Sequence, residues 1–135
     1  MVSVISWPTL GSFFAYFGAA LVAEILFVMI YMKVTPHHEG ALIHKGNVAA
    51  AISLAGAVLG FTIPLASVII HSVSFLDMAV WSGVALVVQL AVFWLVDFAL
   101  RGIGRHIEDG NLAAGITLGV AALAIGVVNA ASMSY

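Results

Sequence analysis

A chain of 135 residues that is 64% hydrophobic and only 7% charged is far from the roughly half apolar, quarter charged make-up of a soluble domain. So short a chain cannot hide that much apolar surface from water, because small domains bury only about two-thirds of what their unfolded chains expose; lipid has to cover the rest. A net charge of −2 leaves no basic footprint for nucleic acid, and the absence of cysteine excludes a disulfide framework, a thiolate nucleophile and a zinc-thiolate site.

About 20 apolar residues are needed to cross a bilayer core of roughly 30 Å. Met1 to Leu10 has no basic residue ahead of an apolar run long enough to span, so no signal peptide is expected there. The first span covers residues 10–32 and holds one acid, Glu24. The polar stretch KVTPHHEGALIHKGN follows, then a second span over 48–70 without charge. A tight connection around His71 to Ser74 leads into the third span, 75–100, with Asp77 and Asp97 near its ends. The connection RGIGRHIEDGN then opens the fourth span, 112–134, again uncharged. Unbroken apolar runs of this length predict helices rather than the alternating strands of a barrel.

Lys33, Lys45, Arg101 and Arg105 all fall in the first and third connections, which the positive-inside rule assigns to the cytoplasm, leaving both termini and the 71–74 turn outside, in the periplasm. Trp7, Trp81, Trp94 and Tyr135 lie toward span ends, where amphipathic rings favour the headgroup zone. The expected fold is an all-α integral membrane protein, one domain over residues 1–135 with four transmembrane helices.

GNVAAAISL, beginning at Gly46, returns 64 positions later as GNLAAGITL from Gly110. Each copy opens an even-numbered span, so the repeating unit is a two-helix hairpin, residues 10–70 and then 75–134. Two crossings per unit keep both units in the same orientation, which makes them parallel rather than inverted repeats. Asn47 and Asn111 are expected to cap their helices, with Gly46 and Gly110 letting the chain turn in tightly. Ala49, Ser53, Gly56 and Gly60 share one face of the second span, and Gly115, Gly119 and Gly126 one side of the fourth. GAVLG and GITLG are GxxxG matches, and such small faces let membrane helices approach closely. Pro64 is expected to bend the second span and free the carbonyl near Gly60. The Gly-Asn-x-Ala-Ala repeat, the duplicated hairpin, the length and the third-span segment VWSGVALVVQL together resemble the YjfL-type family of small bacterial inner-membrane proteins, a family of unknown function. The resemblance covers nearly the whole chain. It implies four spans and residence in the bacterial inner membrane, and supplies no substrate or catalytic residue.

Among residues that carry chemistry, Glu24 stands out. It lies about 12 Å inside its span at a rise of about 1.5 Å per residue, where an acid is costly and is read first as functional. It shares a face with Phe17 and Tyr31, while Gly11, Ala15 and Gly18 form the opposite face, expected to pack. Glu24 either exchanges protons or cations, or is pinned to a neighbour such as Ser53 or Gln89. Gln89, aligned with Ser82 and Phe93, is expected to be interhelical glue, and Asn129, near the outer end of the fourth span, is a similar case. Asp97 and Arg101 stand in the acid-first i, i+4 order of a local ion pair. His37, His38, Glu39 and His44 fall within eight residues of the first loop; they are weak metal candidates because adjacent histidines point apart, and a solvated loop is expected. The GIG of RGIGRH lacks the context of a dinucleotide loop.

No nucleophile-base-orienter set is visible, so no enzyme and no cofactor is expected. Two functions remain: an oligomer that passes protons or cations with Glu24 as its key acid, or a non-transporting scaffold whose cytoplasmic loops dock a protein partner, as in envelope stress or lipid organisation. Membrane lipid and further copies of the chain are the expected partners, with a cytoplasmic protein added on the second reading and no nucleic acid on either.

Overall fold

A computed structural model describes residues 6–133. In chain order its helices are α1 (Trp7–Val34), α2 (Glu39–His44), α3 (Val48–His71), α4 (Phe75–Ala99), α5 (Ile103–Glu108) and α6 (Leu112–Ser132). At about 1.5 Å per residue the four long helices run from ~32 Å to ~42 Å, enough to cross a ~30 Å core. They stand where the apolar runs placed them. The expectations at Met1, Ser134 and Tyr135 lie outside the described residues. What the sequence did not announce is the pair of six-residue helices, α2 and α5, inside the two polar connections.

Each long helix begins at a side-chain cap. Ser6 accepts from Thr9 N at 3.3 Å, Asn47 from Ala50 N at 3.0 Å, Ser74 from Asp77 N at 3.1 Å and Asn111 from Ala114 N at 3.3 Å. A side-chain oxygen of this kind satisfies one of the amides that the first turn leaves free. Asp77 also reaches back to accept from Val73 N at 3.1 Å, a variant of the reciprocal capping box.

The two Gly-Asn sequences fold alike. Short helix α2 ends with Gly46 N donating to Ile43 O and Asn47 N to Leu42 O, both at 2.9 Å; α5 ends with Gly110 N to Ile107 O at 3.0 Å and Asn111 N to His106 O at 2.9 Å. This is the Schellman pattern, which needs a left-handed residue just past the helix end. Gly46 (φ 82°) and Gly110 (φ 78°) supply it without a Cβ penalty. The asparagine that closes the short helix then caps the long one, so two residues, Gly and Asn, stop one helix and start the next. The copies differ in one respect: the Asn47 amide also donates to Ile107 O (2.8 Å) and Glu108 O (3.3 Å) of the other connection. Both basic connections therefore sit at one end of the bundle, the basic end.

Helices α3 and α6 form the body. A Cβ built on Gly115 would run into the backbone of Ala49, one on Gly56 into Gly119, one on Gly60 into Ala122 and one on Gly126 into Gly60. The register advances in the same direction on both helices, so they run parallel, backbone against backbone. Lipid tails are as apolar as leucine, and close contact of this sort is what holds membrane helices together. Pro64 removes the helical partner of Gly60 O, and that carbonyl lies against the bare Cα of Gly126.

Helix α4 packs through Met78, Ser82, Ala85, Gln89, Val92 and Phe93. Helix α1 is peripheral: only Phe27 and Tyr31 are buried, against ten residues of α3. It is held by Phe27 stacked on Phe61 and Tyr16 stacked on Phe75, each at 4.7 Å between ring centroids. The face expected to pack, Gly11 with Ala15 and Gly18, instead looks outward, with nothing within 4 Å of a Cβ on either glycine. The aromatic face won the contact because a large ring fills the gap that α1 leaves beside α3 and α4.

The Asp97–Arg101 pairing does not form within 4.0 Å, whereas His37 Nε2 and Glu39 Oε1 of the first connection stand 3.2 Å apart. The reason is local. Helix α4 stops at Ala99, Leu100 leaves the helical region (φ −122°, ψ 72°) and Gly102 turns left-handed (φ 80°). Arg101 therefore never occupies the i+4 position of a continuing helix.

Candidate functional site

Glu24 sits on the rim of the α1–α3 contact, half-buried. Its Oε2 lies 3.0 Å from Thr62 Oγ1 on α3, and its Oε1 is buried without a partner. The expected neighbours are engaged elsewhere: Ser53 donates to Ala50 O of its own helix at 2.9 Å, and Gln89 to Ala122 O at 2.9 Å. Thr62 Oγ1 is also 2.8 Å from Val58 O, one turn back. A threonine hydroxyl carries one hydrogen and two lone pairs, so this arrangement serves either form of the acid. Protonated, Glu24 donates to Thr62, which donates to Val58 O. Ionised, Glu24 accepts the hydrogen that Thr62 turns away from Val58. Neither form strands the oxygen that faces Thr62, which is what a group that gains and loses a proton in lipid requires.

Away from the basic end, the α1–α3 seam opens into a cavity of about 520 Å³ lined by Thr9, Ser12, Tyr16, Phe17, Ile69 and Ser72, among others. Phe17 stands seven residues before Glu24 and Ile69 seven after Thr62, two helical turns each, so cavity and acid share the same faces of the same helices. Toward the basic end the seam is shut by the Phe27–Phe61 stack and buried Tyr31.

Below that plug is a polar cluster that the loop reading did not foresee. His37 and Glu39 are 0% exposed and Thr35 is 3% exposed, while His38 and His44 point to solvent. The expectation of a solvated first loop is corrected accordingly: its first half folds back, with His37 against Phe93 of α4 and Gly104 of α5, and α2 packs on α3. Thr35 Oγ1 is 2.6 Å from Glu39 Oε1 and 3.0 Å from Tyr31 O. His37 Nε2 is 3.2 Å from the same Glu39 oxygen, off the line of a good hydrogen bond, and both ring nitrogens and Glu39 Oε2 lack an aligned partner. The imidazole leans on Phe93, 5.4 Å between ring centres. No group of three metal-ligating side chains forms among the described residues. Having separated into interior and solvent-facing pairs, His37, His38, Glu39 and His44 do not converge on one point.

Gln89 is 0% exposed, its Nε2 beside Gly60 and its Oε1 unpartnered, so it ties α4 to α6 across the gap that Gly60 leaves. Ser82 Oγ and Asn129 Nδ2 are likewise buried without a partner, and Asn129, two turns from Ala122, does not join the Gln89 contact. Thr62 and Thr35, which hydrogen-bond Glu24 and Glu39, are the candidate-site residues that sequence reasoning passed over. The signal for Thr62 was a hydroxyl two residues before Pro64, on a face with no other polar group.

Comparison with known proteins gives the lineage. The family profile described as Domain of Unknown Function (DUF350) matches residues 5–133. The chain is 43% identical over 127 residues to the UPF0719 inner membrane protein YjfL of Escherichia coli strain K12, covering 94% of this chain and 96% of that protein. It is 30% identical over 125 residues to the UPF0719 transmembrane protein YshE of Bacillus subtilis strain 168, covering 88% and 90%. No solved structure matches it. The chain belongs to the DUF350 family, and with four apolar helices it is a multi-pass inner-membrane protein.

Proposed function

We propose that the protein passes protons or small cations across the inner membrane as a homo-oligomer, with Glu24 as the exchange site. The observation that carries the reading is the Glu24–Thr62 pair, able to stay hydrogen-bonded with or without the proton and on the same helix faces as a largely apolar cavity, with Thr9, Ser12 and Ser72 in its lining, at one end of the seam. Oligomerisation belongs to the reading because this pair lies on the lipid-facing rim of the single chain, and α1 leaves its Gly11, Ala15 and Gly18 face uncovered. A second copy set against that rim would enclose the acid. No enzymatic step is part of the proposal. The scaffold alternative would use the first connection as a free docking arm, and the burial of His37 and Glu39 speaks for transport instead.

The test is proton flux in liposomes carrying purified protein, driven by a potassium diffusion potential and read by an entrapped pH dye. Wild type should conduct above protein-free vesicles, and Glu24→Gln, which keeps the shape and loses the exchangeable proton, should fall to the vesicle leak. Equal flux from wild type and Glu24→Gln would overturn the reading.

A further inference from the structure

Resting on that reading, we propose that His37 and Glu39 form the second proton-binding station of the path, with His37 as the relay that hands protons to water at the basic end. The two ring nitrogens face different neighbours. Nε2 faces inward, 3.2 Å from Glu39 Oε1. Nδ1 faces Gly104 of α5, where an added Cβ would lie 3.3 Å from it and 3.6 Å from Pro36 Cγ. Pro36 and Gly104 also line a cavity of about 560 Å³ at the basic end, together with Asp97, Arg101, Arg105, His106 and Glu108. These two residues form the wall between the imidazole and the cavity, and one of them has no side chain. An imidazole with one nitrogen on a buried carboxyl and the other on a thin wall is the arrangement a proton shuttle needs.

The burial itself argues for use. A fully buried carboxyl and imidazole are expensive to desolvate, and a pair with unmatched polar atoms recovers only part of that cost. A pin between loop and bundle would be made more cheaply from apolar groups of the same size. The titratable and charged groups facing the pair are Tyr31 on α1, within electrostatic reach of Glu39, and, across the Pro36–Gly104 wall, Asp97 on α4, Arg101 in the α4–α5 turn, and Arg105, His106 and Glu108 on α5. In one turnover the Glu39 carboxylate takes a proton from hydronium arriving past Tyr31 from the Glu24 side, that O–H bond breaks as an N–H bond forms at His37 Nε2, and the imidazolium then loses its Nδ1 proton to water, leaving Glu39 a carboxylate again. The ring ends neutral in the other tautomer and a ring flip resets it. The Phe27–Phe61 stack with Tyr31 separates this station from Glu24, so the two carboxyls need not open to the same side together.

The experiment repeats the liposome assay with wild type, Glu24→Gln, His37→Ala and Gly104→Ala. Loss of the imidazole should cut flux at least tenfold, and imidazole added to the medium should restore it, whereas pyrazole, of the same shape but far less basic, should not. Gly104→Ala keeps His37 and fills the space before Nδ1, so it should slow flux several-fold even if His37→Ala does not fold. Flux abolished by Glu24→Gln but unchanged in Gly104→Ala, and unrescued or undiminished in His37→Ala, would overturn the relay alone. A wild type that does not conduct would overturn the relay and the transport reading together.

Discussion

Gly56→Ala is the sharpest perturbation of the bundle. The added methyl would fall inside the Gly119 backbone, touching its O, Cα and C, so the helices must part, and nothing at this contact is a side chain that can rotate away. Overpacking of a close contact costs about 1–3 kcal/mol. Gly60→Ala should cost more, since its methyl also meets Gln89 Nε2 and the Ala122 carbonyl, putting at risk an interhelical hydrogen bond worth about 0.6 kcal/mol. Gly83→Ala is the control, with nothing within 4 Å of the added carbon. The assay is reversible unfolding in mixed micelles, titrating dodecyl sulfate into dodecyl maltoside and following helicity and tryptophan fluorescence. One to two kcal/mol is a factor of about 5–30 in the folded-to-unfolded ratio, well within reach. If Gly56→Ala unfolded with the wild type while Gly83→Ala lost stability, the α3–α6 backbone contact would not be what holds the body together.

Two further expectations concern the basic end. Asn111→Ala should cost about 1 kcal/mol, the usual price of an N-cap, and Asn47→Ala about 1 kcal/mol more because its amide also bonds the Ile107 and Glu108 carbonyls; equal losses in the same unfolding assay would refute that bridge. The chain has no cysteine of its own, so single replacements report cleanly: Lys45→Cys and Arg105→Cys should react with a membrane-impermeant maleimide from the same side, and Ser74→Cys from the other. Labelling of the first two from opposite sides would be incompatible with this bundle.

The parts of the fold legible in sequence were those set by local chemistry. Apolar runs give the spans, and Asn47 and Asn111 announce their caps because a cap is a contact with the chain's own next turn. The Gly56, Gly60, Gly115, Gly119 and Gly126 stripes were visible because closely packed membrane helices demand small residues at helical spacing. What escaped was decided by which face meets which partner. Glu24 has Ser53, Gln89 and Thr62 all within plausible reach on paper, and only the rotation of α1 selects Thr62. That rotation is set by Phe27 and Tyr31, whose rings outcompete the smaller Gly11, Ala15 and Gly18 face for the groove. The Asp97–Arg101 pattern failed because helix α4 ends two residues before the arginine, a boundary set by Gly102 downstream. His37 and Glu39 read as solvated loop because nothing in PHHEG marks the fold-back that lays them against Phe93 and Gly104.

The two Gly-Asn stretches cap alike, and the residues around them differ in chemistry. The 64-residue offset that superposes Gly46 on Gly110 carries Thr62 onto Gly126, His37 onto Arg101 and Glu39 onto Ile103. The hydroxyl that serves Glu24 in the first hairpin is a bare Cα in the second, where Gly126 lies against the Gly60 backbone. Where the buried histidine stands in one stretch an exposed arginine lines a cavity in the other, and the buried glutamate corresponds to a core isoleucine, 5% exposed. Polar groups inside a membrane protein must each be matched or made to work, and a chain this small has room to satisfy one set. Keeping two would have put a polar side chain where Gly126 now touches Gly60, and so would have sacrificed the contact that holds α3 to α6. Helix α6 serves as the wall: its glycines fix α3 in place, and α3 in turn presents Thr62 to the acid on the loosely held α1.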